Sequence, residues 1–481
     1  MSNWMFTDHY WWARFWFYRG LFFTYFLAFL VSVKQFIPLA GENGILPFSR
    51  FLDSASFWDR PSLLQFFPSD RAIRTISLLG LIGSVTGFLG FEWLGTPAMM
   101  ILCLILWFCY LSLVKAGNLF YGYGWESFLC ETGALSVFLG GAYSPVPILI
   151  IFLFAWLLFR VMFGAGLIKI RGDQCWRDLT CMDYHYETQP MPNPFSWFAH
   201  HLPGWWHKAE VLGNHLTELV VPFLYFAPQP YAGIGAGLTI GFQAWLMVTG
   251  NFSWLNFLTI VISIPLVPDS LWLLVPGSAQ VIPAQLHAAS WFEFMVWGYT
   301  ALVLVLSYWP ARNLVSKNQL MNAGFDPFNL VNTYGAFGSI TKIRHELVVE
   351  GRHEAGDWCT YFFKGKPTDL SRRPPQWAPY HLRLDWQMWF AAMRSRPPAW
   401  IMPFILKLLE NDPGVTSLLR NNPFEGEEPP AEIRIRRFRY RYTEPEERKK
   451  TGHWWKREFV DEYVPPVDRS TLSARVNTKS F

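Results

Sequence analysis

The stretch RGDQCWRDLTCMDYHYETQPMPNP, residues 171–194, is a polar insert in a very apolar chain. Within it Asp183, His185 and Glu187 alternate along DYHYE. A strand would point all three to one side, and such a cluster could do acid–base work. Lys169 and Arg171 stand just before it, and Asp173, Trp176, Arg177, Asp178 and Pro190 complete the insert. His200, His201, His207 and His215 follow, at spacings that fit no HExxH box. His215 and Glu218 lie three apart, which on a helix can ligate a metal. No nucleophile elbow or glycine-rich phosphate loop accompanies them. The plainer reading is structural: buried polar groups must be satisfied, and these satisfy one another in an irregular loop against a bilayer surface. Trp176, Trp197, Trp205 and Trp206 suit a headgroup region, and prolines 190, 192 and 194 read as a stiff extended exit. On that reading the site needs no catalytic residue, no metal and no cofactor. Cys175 and Cys181 are close enough to bridge if the turn folds back, or they are two free thiols; the CxxC redox spacing is absent.

The elements that must hold this insert are mostly apolar. Charged residues are 16% of the 481, against about 25% in soluble proteins. Aromatic residues reach 18%, with 26 tryptophans. The long apolar runs occupy the first two thirds, and the charges concentrate in the last third. This predicts a polytopic α-helical membrane bundle over residues 1–310, an extramembrane α+β domain over 311–465, and a mobile tail over 466–481. Nine candidate spans can be drawn, near 17–37, 73–91, 97–114, 125–140, 147–168, 211–228, 231–249, 252–275 and 288–309; a count from five to nine is defensible. Gly80, Gly83, Gly87 and Gly90, and again Gly233, Gly237 and Gly241, are spaced for close helix approach. Glu126, Glu131, Arg160 and Lys169, with Glu218 and Glu293, fall at membrane depth, where ionisable groups pair or line a cavity. Glu126 or Glu131 with Arg160 is the preferred pairing; a transporter would use the same residues.

Three long extramembrane pieces, 38–72, 171–210 and the C-terminal third, are separated by even numbers of candidate spans, which places them on one face. Arg14 and Arg19 before the first span favour a cytoplasmic N-terminus, and so a non-cytoplasmic working face. The start lacks a cleavable signal pattern, so the first apolar run reads as an anchor. The net charge of +4 is too small to imply nucleic acid. Residues 310–481 carry 27 basic and 20 acidic side chains. There, GSITKIRHELVVEGRH and DWCTYFFKGKP read as strands, and HLRLDWQMWFAAMRS and WIMPFILKLLEN as helices. EIRIRRFRYRY alternates with a one-residue slip, which suggests a bulge in a hairpin. Its arginine face could meet an anionic partner, although a solvated face is the plainer expectation.

GAGLIKIRGDQCWRDLTCMDYHYETQPMPNP resembles the signature of the lipase maturation factors. YLSLVKAGNLFYGYGWESFLCETG, NHLTELVVPFLYF, TGNFSWLNFLTIV, VNTYGAFGSITKIRHELVVEG and SRRPPQWAPYHLRLDWQMWFAAM extend the resemblance over nearly the whole chain. It implies a multi-pass protein of the endoplasmic reticulum membrane, among membrane lipids, needed for folding of homodimeric secreted lipases such as lipoprotein lipase. Loops and C-terminal domain would be lumenal; in a bacterium the location would become the cytoplasmic membrane. The resemblance carries over no catalytic residue. A rival reading is a membrane enzyme with its site at the 171–218 junction.

Overall fold

In the computed structural model, residues 5–52, 55–272, 288–354 and 356–472 are described. The chain is a polytopic helical membrane protein whose C-terminal region carries a sheet outside the membrane. The first helices are α1 (Trp11–Ala40), α2 (Asp70–Gly90), α3 (Thr96–Ala116), α4 (Gly124–Ser136) and α5 (Ile148–Arg171). After the polar insert come α6 (Met182–Thr188), α7 (Gly204–His215), α8 (Tyr231–Thr249), α9 (Leu255–Ser263), α10 (Ser290–Leu306) and α11 (Tyr308–Val315). Six stretches are long and apolar enough to cross a membrane: α1, α2, α3, α5, α8, and α10 continued by α11.

The other three candidate spans are shorter or irregular. Helix α4 has only 13 residues. The 211–228 stretch ends α7, passes through a π-helical turn at Leu216–Val220 and tightens into a 3-10 turn at Val221–Phe226. Pro222 has no N–H to continue an α-helix, which accounts for the change. Pro265 ends α9 in the same way. The last residues of the 252–275 candidate lie outside the described residues.

Helix α1 starts earlier than its apolar run, because Asp269 caps it. The Asp269 carboxylate accepts from the backbone N–H of Trp11 and Trp12 at 2.8 and 2.9 Å. This revises the charge argument: Arg14 and Arg19 lie inside the helix rather than before it. Arg14 is buried and donates to the carbonyls of Ser144 and Ala142. The short strands β1 (Phe6–Thr7) and β2 (Val146–Pro147) pair at this same end.

The opposite end of α1 meets the C-terminal region, where Gln35 donates to the His381 carbonyl at 2.7 Å. Ser62 reaches the Ser112 carbonyl there at 2.9 Å, and Lys115 reaches Asn329 at 3.0 Å. One buried apolar cluster runs from α1 through the bundle into the C-terminal region, as far as Trp386, Phe404 and Ile433.

The C-terminal region contains β3 (Arg344–Arg352), β4 (Cys359–Tyr361), α12 (Arg383–Ala392), α13 (Ile401–Leu409), β5 (Glu432–Tyr442), α14 (Pro445–Thr451) and β6 (Trp455–Asp468). Its antiparallel sheet runs β4-β3-β5-β6. Helix α13 buries Ile401, Phe404, Ile405 and Leu408, one helical face. In β5, Ile433 and Ile435 are buried, then Phe438, Tyr440 and Tyr442, and the register against β6 shifts between the two sets. Three of the five arginines of β5 are paired: Arg434 and Arg436 hold Glu350 at 2.8 and 2.6 Å, and Arg437 holds Asp461 at 3.0 Å. The expected mobile tail is also ordered at its start. Strand β6 runs to Asp468, and Val467 and Leu472 are buried. Residues 473–481 lie outside those described.

The two glycine stripes behave differently. A Cβ at Gly80 would collide with the ring of Phe29, and one at Gly87 with Phe22, so α2 lies directly on α1. Gly83 turns instead to Leu106 and Leu102 of α3. In α8, Gly237 and Gly241 have nothing within 4 Å and form no seam. Gly80→Leu should therefore cost about 1–3 kcal/mol or more by overpacking, whereas Gly237→Ala should be neutral or slightly stabilising. Thermal stability of the two detergent-purified variants checks this; equal behaviour would reject the seam.

Candidate functional site

The polar insert is built on short-range turns. Asp173 caps a single helical turn, Gln174–Arg177, by accepting from the Cys175 N–H at 3.0 Å. Cys175 and Cys181 are joined as a disulfide, with Cα atoms 4.8 Å apart, in a small buried cluster with Trp176, Met182 and Tyr186. Arg171 reaches Gln319 at 3.0 Å, and Arg177 returns to the Ile170 carbonyl at 2.7 Å. Asp178 is exposed at the end of the turn.

DYHYE is helical, within α6, and not a strand. Asp183 and Glu187 are thus one turn apart, while His185 points roughly 200° away from Asp183. The expected acid–base cluster separates into three environments. Asp183 is exposed and meets His207 Nδ1 at 3.0 Å. Glu187 accepts from the Tyr442 N–H of β5 at 2.8 Å, and burial raises its carboxyl above the usual range. His185 is buried beside the rings of Phe252 and Phe337. Burial, with the nearby Lys169 cation, pushes it down to about 4, so it is neutral.

The remaining histidines also have structural partners. His207 Nε2 lies 3.1 Å from the Ala199 carbonyl, His215 Nε2 is 3.0 Å from that of Trp176, and His201 Nδ1 is 2.7 Å from that of Trp197. His215 and Glu218 do not converge, because Glu218 turns to Lys169 at 2.6 Å. Among the described residues no group of three or more His, Cys, Asp or Glu side chains could hold a metal. The tryptophans correct another expectation. Trp176 and Trp197 are buried and donate to the carbonyls of Phe337 and Thr443, each at 2.9 Å; Trp205 is exposed.

Five of the six charges expected at membrane depth are drawn into pairs, and Glu293 is exposed in the first turn of α10. Glu131 takes Arg160, whose Nη1 lies 3.3 Å from Oε2. That same oxygen accepts from the Asn332 N–H at 2.9 Å and the Tyr334 hydroxyl at 2.7 Å. Glu126 takes Arg383 of α12 at 2.6 Å, and also the Tyr110 hydroxyl. His381 lies 3.6 Å from Glu126; burial and the Arg383 cation push it down to about 4. Lys169 lies between Glu218 and Asn214, over the Trp176 ring at 4.9 Å.

The exit of the insert is clasped by Arg344 of β3. It donates to the carbonyls of Glu187, Gln189 and Pro190 at 2.9, 2.5 and 3.3 Å, and pairs with Glu346. Lys366 completes this group 3.0 Å from Glu346; burial lowers it to about 8. Arg344, Lys366, His381 and Arg383 were missed in the sequence. Arg344 reaches the insert across 154 to 157 positions and Arg383 reaches Glu126 across 257, while Lys366 depends on Glu346 within the same region; arginines alternating with apolar residues look like any surface strand or helix.

Between α5, the insert, α7, α8 and α12 lies a cavity of about 850 Å³. Lys169, Trp176, His185, Glu218, Trp245 and Trp386 are among its walls.

Fold and site together define a multi-pass membrane protein whose C-terminal region is keyed into its bundle by buried ion pairs. Residues 12–274 match the lipase maturation factor transmembrane domain, and residues 330–465 match the lipase maturation factor C-terminal domain. Lipase maturation factor 1 of Bos taurus is 41% identical, covering 98% of this chain and 92% of the relative. The Homo sapiens counterpart is 39% identical over 97% and 89%, and Homo sapiens lipase maturation factor 2 is 29% identical over 94% and 82%. No solved structure matches. The chain belongs to the lipase maturation factor family.

Two predictions follow from the geometry. Removing one member of the Glu126–Arg383 pair leaves a buried charge alone. Glu126→Ala or Arg383→Ala should each cost about 3–5 kcal/mol, and Glu126→Leu with Arg383→Met should recover much of it. Melting temperatures of the three variants check this, and an additive double mutant would refute the pairing. The second concerns pH. His185, His200 and His381 are each lowered by burial to about 4. Between that value and about 6.5 the unfolded chain binds more protons, so their contribution is lost as pH falls. Asp385, raised to about 6 by burial, and Glu187 act in the opposite sense. Three histidines outweigh them, and the melting temperature should drop between pH 7 and pH 5; a rise would show that the carboxylates dominate.

Proposed function

We propose that this chain is a membrane-embedded folding factor for secreted lipases, acting from one face. That face comprises loops 38–72 and 171–210 and the extramembrane domain, 311–465, above a bundle of 1–310. The observation that carries the reading is the keyed junction. Arg383, Asn332 and Tyr334 lock the C-terminal region to Glu126 and Glu131, giving a rigid platform rather than a tethered domain.

The platform displays apolar side chains away from the membrane helices. Trp58, Phe66 and Phe67 are each more than 60% exposed in the 38–72 loop, and Phe459 and Val460 are exposed on β6. Exposed apolar groups of this kind suit transient hold of incompletely folded chains. The Cys175–Cys181 disulfide fits an oxidising compartment, consistent with loops in the lumen of the endoplasmic reticulum. A catalytic role is disfavoured because Asp183, His185 and Glu187 each face a different environment.

The test is secretion of active homodimeric lipase from cells that lack their own maturation factor and express this chain. The triple variant Trp58→Ser, Phe66→Ser, Phe67→Ser should lower secreted activity several-fold at equal membrane level. His185→Ala with Glu187→Gln should leave it within about twofold. Loss with the second variant at normal level and unchanged activity with the first would reverse the reading toward an enzyme.

A further inference from the structure

The large cavity at the bundle junction is not needed to hold a client protein. Its volume, about 850 Å³, lies in the ~300–1,000 Å³ range of small-molecule sites. A folded partner cannot enter such a space, whereas one amphiphile can. Its walls are mainly apolar and aromatic, with Met162, Phe242, Leu246 and Phe252 from the bundle and Trp389 and Phe390 from α12.

The polar groups gather on one part of the wall. Lys169, Asn214 and Glu218 form a buried hydrogen-bonded set, in which the lysine charge is matched by Glu218. His185, also on the wall, is neutral. Unused hydrogen-bonding atoms of both kinds lie on buried wall residues: the donors Asn256 Nδ2 and Trp386 Nε1 and the acceptor Glu218 Oε2 have no partner in the protein. Leaving such atoms unpaired in a buried wall is unfavourable. A ligand head that both donates and accepts would relieve both.

The open space beside Gly213, where an added Cβ would meet nothing within 4 Å, argues for a mouth between α7 and α8. Ala209, Gly213 and Leu216 on one side, and Trp245 and Leu246 on the other, belong to the wall. The outward face beside this gap carries Leu212, Leu216 and Val220, each more than half exposed. These side chains suit acyl chains, so the opening is lateral, toward the bilayer.

We infer that the cavity binds an uncharged lipid amphiphile from the membrane, with a hydroxyl- or ester-bearing head near Lys169, Asn256 and Glu218. An anionic head is disfavoured because, among the described residues, the cavity's one lysine is matched by Glu218, and Glu210 adds a further carboxylate to the wall. Because α12 supplies Trp386, Trp389 and Phe390, an occupied cavity ties the C-terminal region to the bundle more firmly than an empty one. The inference stands apart from the lipase reading, which rests on different surfaces.

The test uses the full chain in lipid nanodiscs and a diazirine-tagged monoacylglycerol, with a diazirine-tagged fatty acid of the same length as comparison. Crosslinks of the monoacylglycerol should map to α7, α8 and residues 335–339, and untagged monoacylglycerol should compete. A Cβ at Gly213 meets nothing within 4 Å. Gly213→Phe should block the mouth and lower labelling at least fivefold, with an unchanged melting temperature. Ala209→Phe serves as the second variant should Gly213→Phe fold poorly. Labelling that is unaffected by both variants, or spread over the outward faces of α2 and α10, would overturn the site. Equal labelling by the fatty acid would overturn the uncharged head.

Discussion

An ionised carboxylate inside an apolar bundle must be paired or it cannot stay there. Glu126 and Glu131 both sit on α4, buried on every side. Their charges are expensive to desolvate, and the attraction repays this only with good geometry and further hydrogen bonds. Within the bundle, Arg160 answers Glu131 alone. The second cation, Arg383, comes from a helix 257 positions later. The bundle is thus electrostatically incomplete without its C-terminal region. Much of that region's core is continuous with the bundle, since Trp386, Phe404 and Ile433 belong to the same buried cluster as α1. A second cluster, with Phe438, Tyr440, Tyr442 and Trp455, closes instead on Trp197 beyond the insert.

The polar insert follows the same logic on the backbone side. A chain that leaves a helix against other protein must place its carbonyls somewhere. Arg344 gathers three of them, and the indole of Trp176 caps the Phe337 carbonyl. Asn193 donates to the carbonyl of Val248 at 2.6 Å and accepts from the Ser196 N–H at 3.0 Å. A loop held by so many directional bonds tolerates few changes. This constraint on the sequence is structural and independent of any catalytic role.

Much of the architecture was legible because hydropathy reports it directly. Long apolar runs became helices, and the slip in EIRIRRFRYRY became a shifted register. Arg160 could be matched to α4 because both lie in apolar segments, where an unpaired charge is untenable. Arg383 could not, because at the sequence level its helix looks half-exposed. DYHYE misled because five alternating residues fit a strand pattern, while the flanking disulfide turn launches a helix. Arg14 misled because its helix is capped by Asp269, a contact across 258 positions. For Arg383 and Arg14 a long-range polar bond overrode the local pattern, whereas for DYHYE a short covalent turn did.

The buried carboxylates at membrane depth lie on the passes that fall short of a full membrane helix, while their cations Arg160 and Lys169 lie on the full-length α5. Glu126 and Glu131 are on the 13-residue α4, Glu218 is in the π-helical turn, and Asn256 opens the nine-residue α9. This association has a cause. Irregular or shortened backbone at membrane depth is tolerated only where protein surrounds it or where it lines a cavity. A π turn also shifts the side chains after it relative to a continuous α-helix and recurs at functional sites; here it sets Glu218 opposite Lys169 on the cavity wall. The long regular helices solve the membrane problem. The short ones hold the carboxylates, and Glu126 and Glu131 on α4 meet the C-terminal region through Arg383, Asn332 and Tyr334.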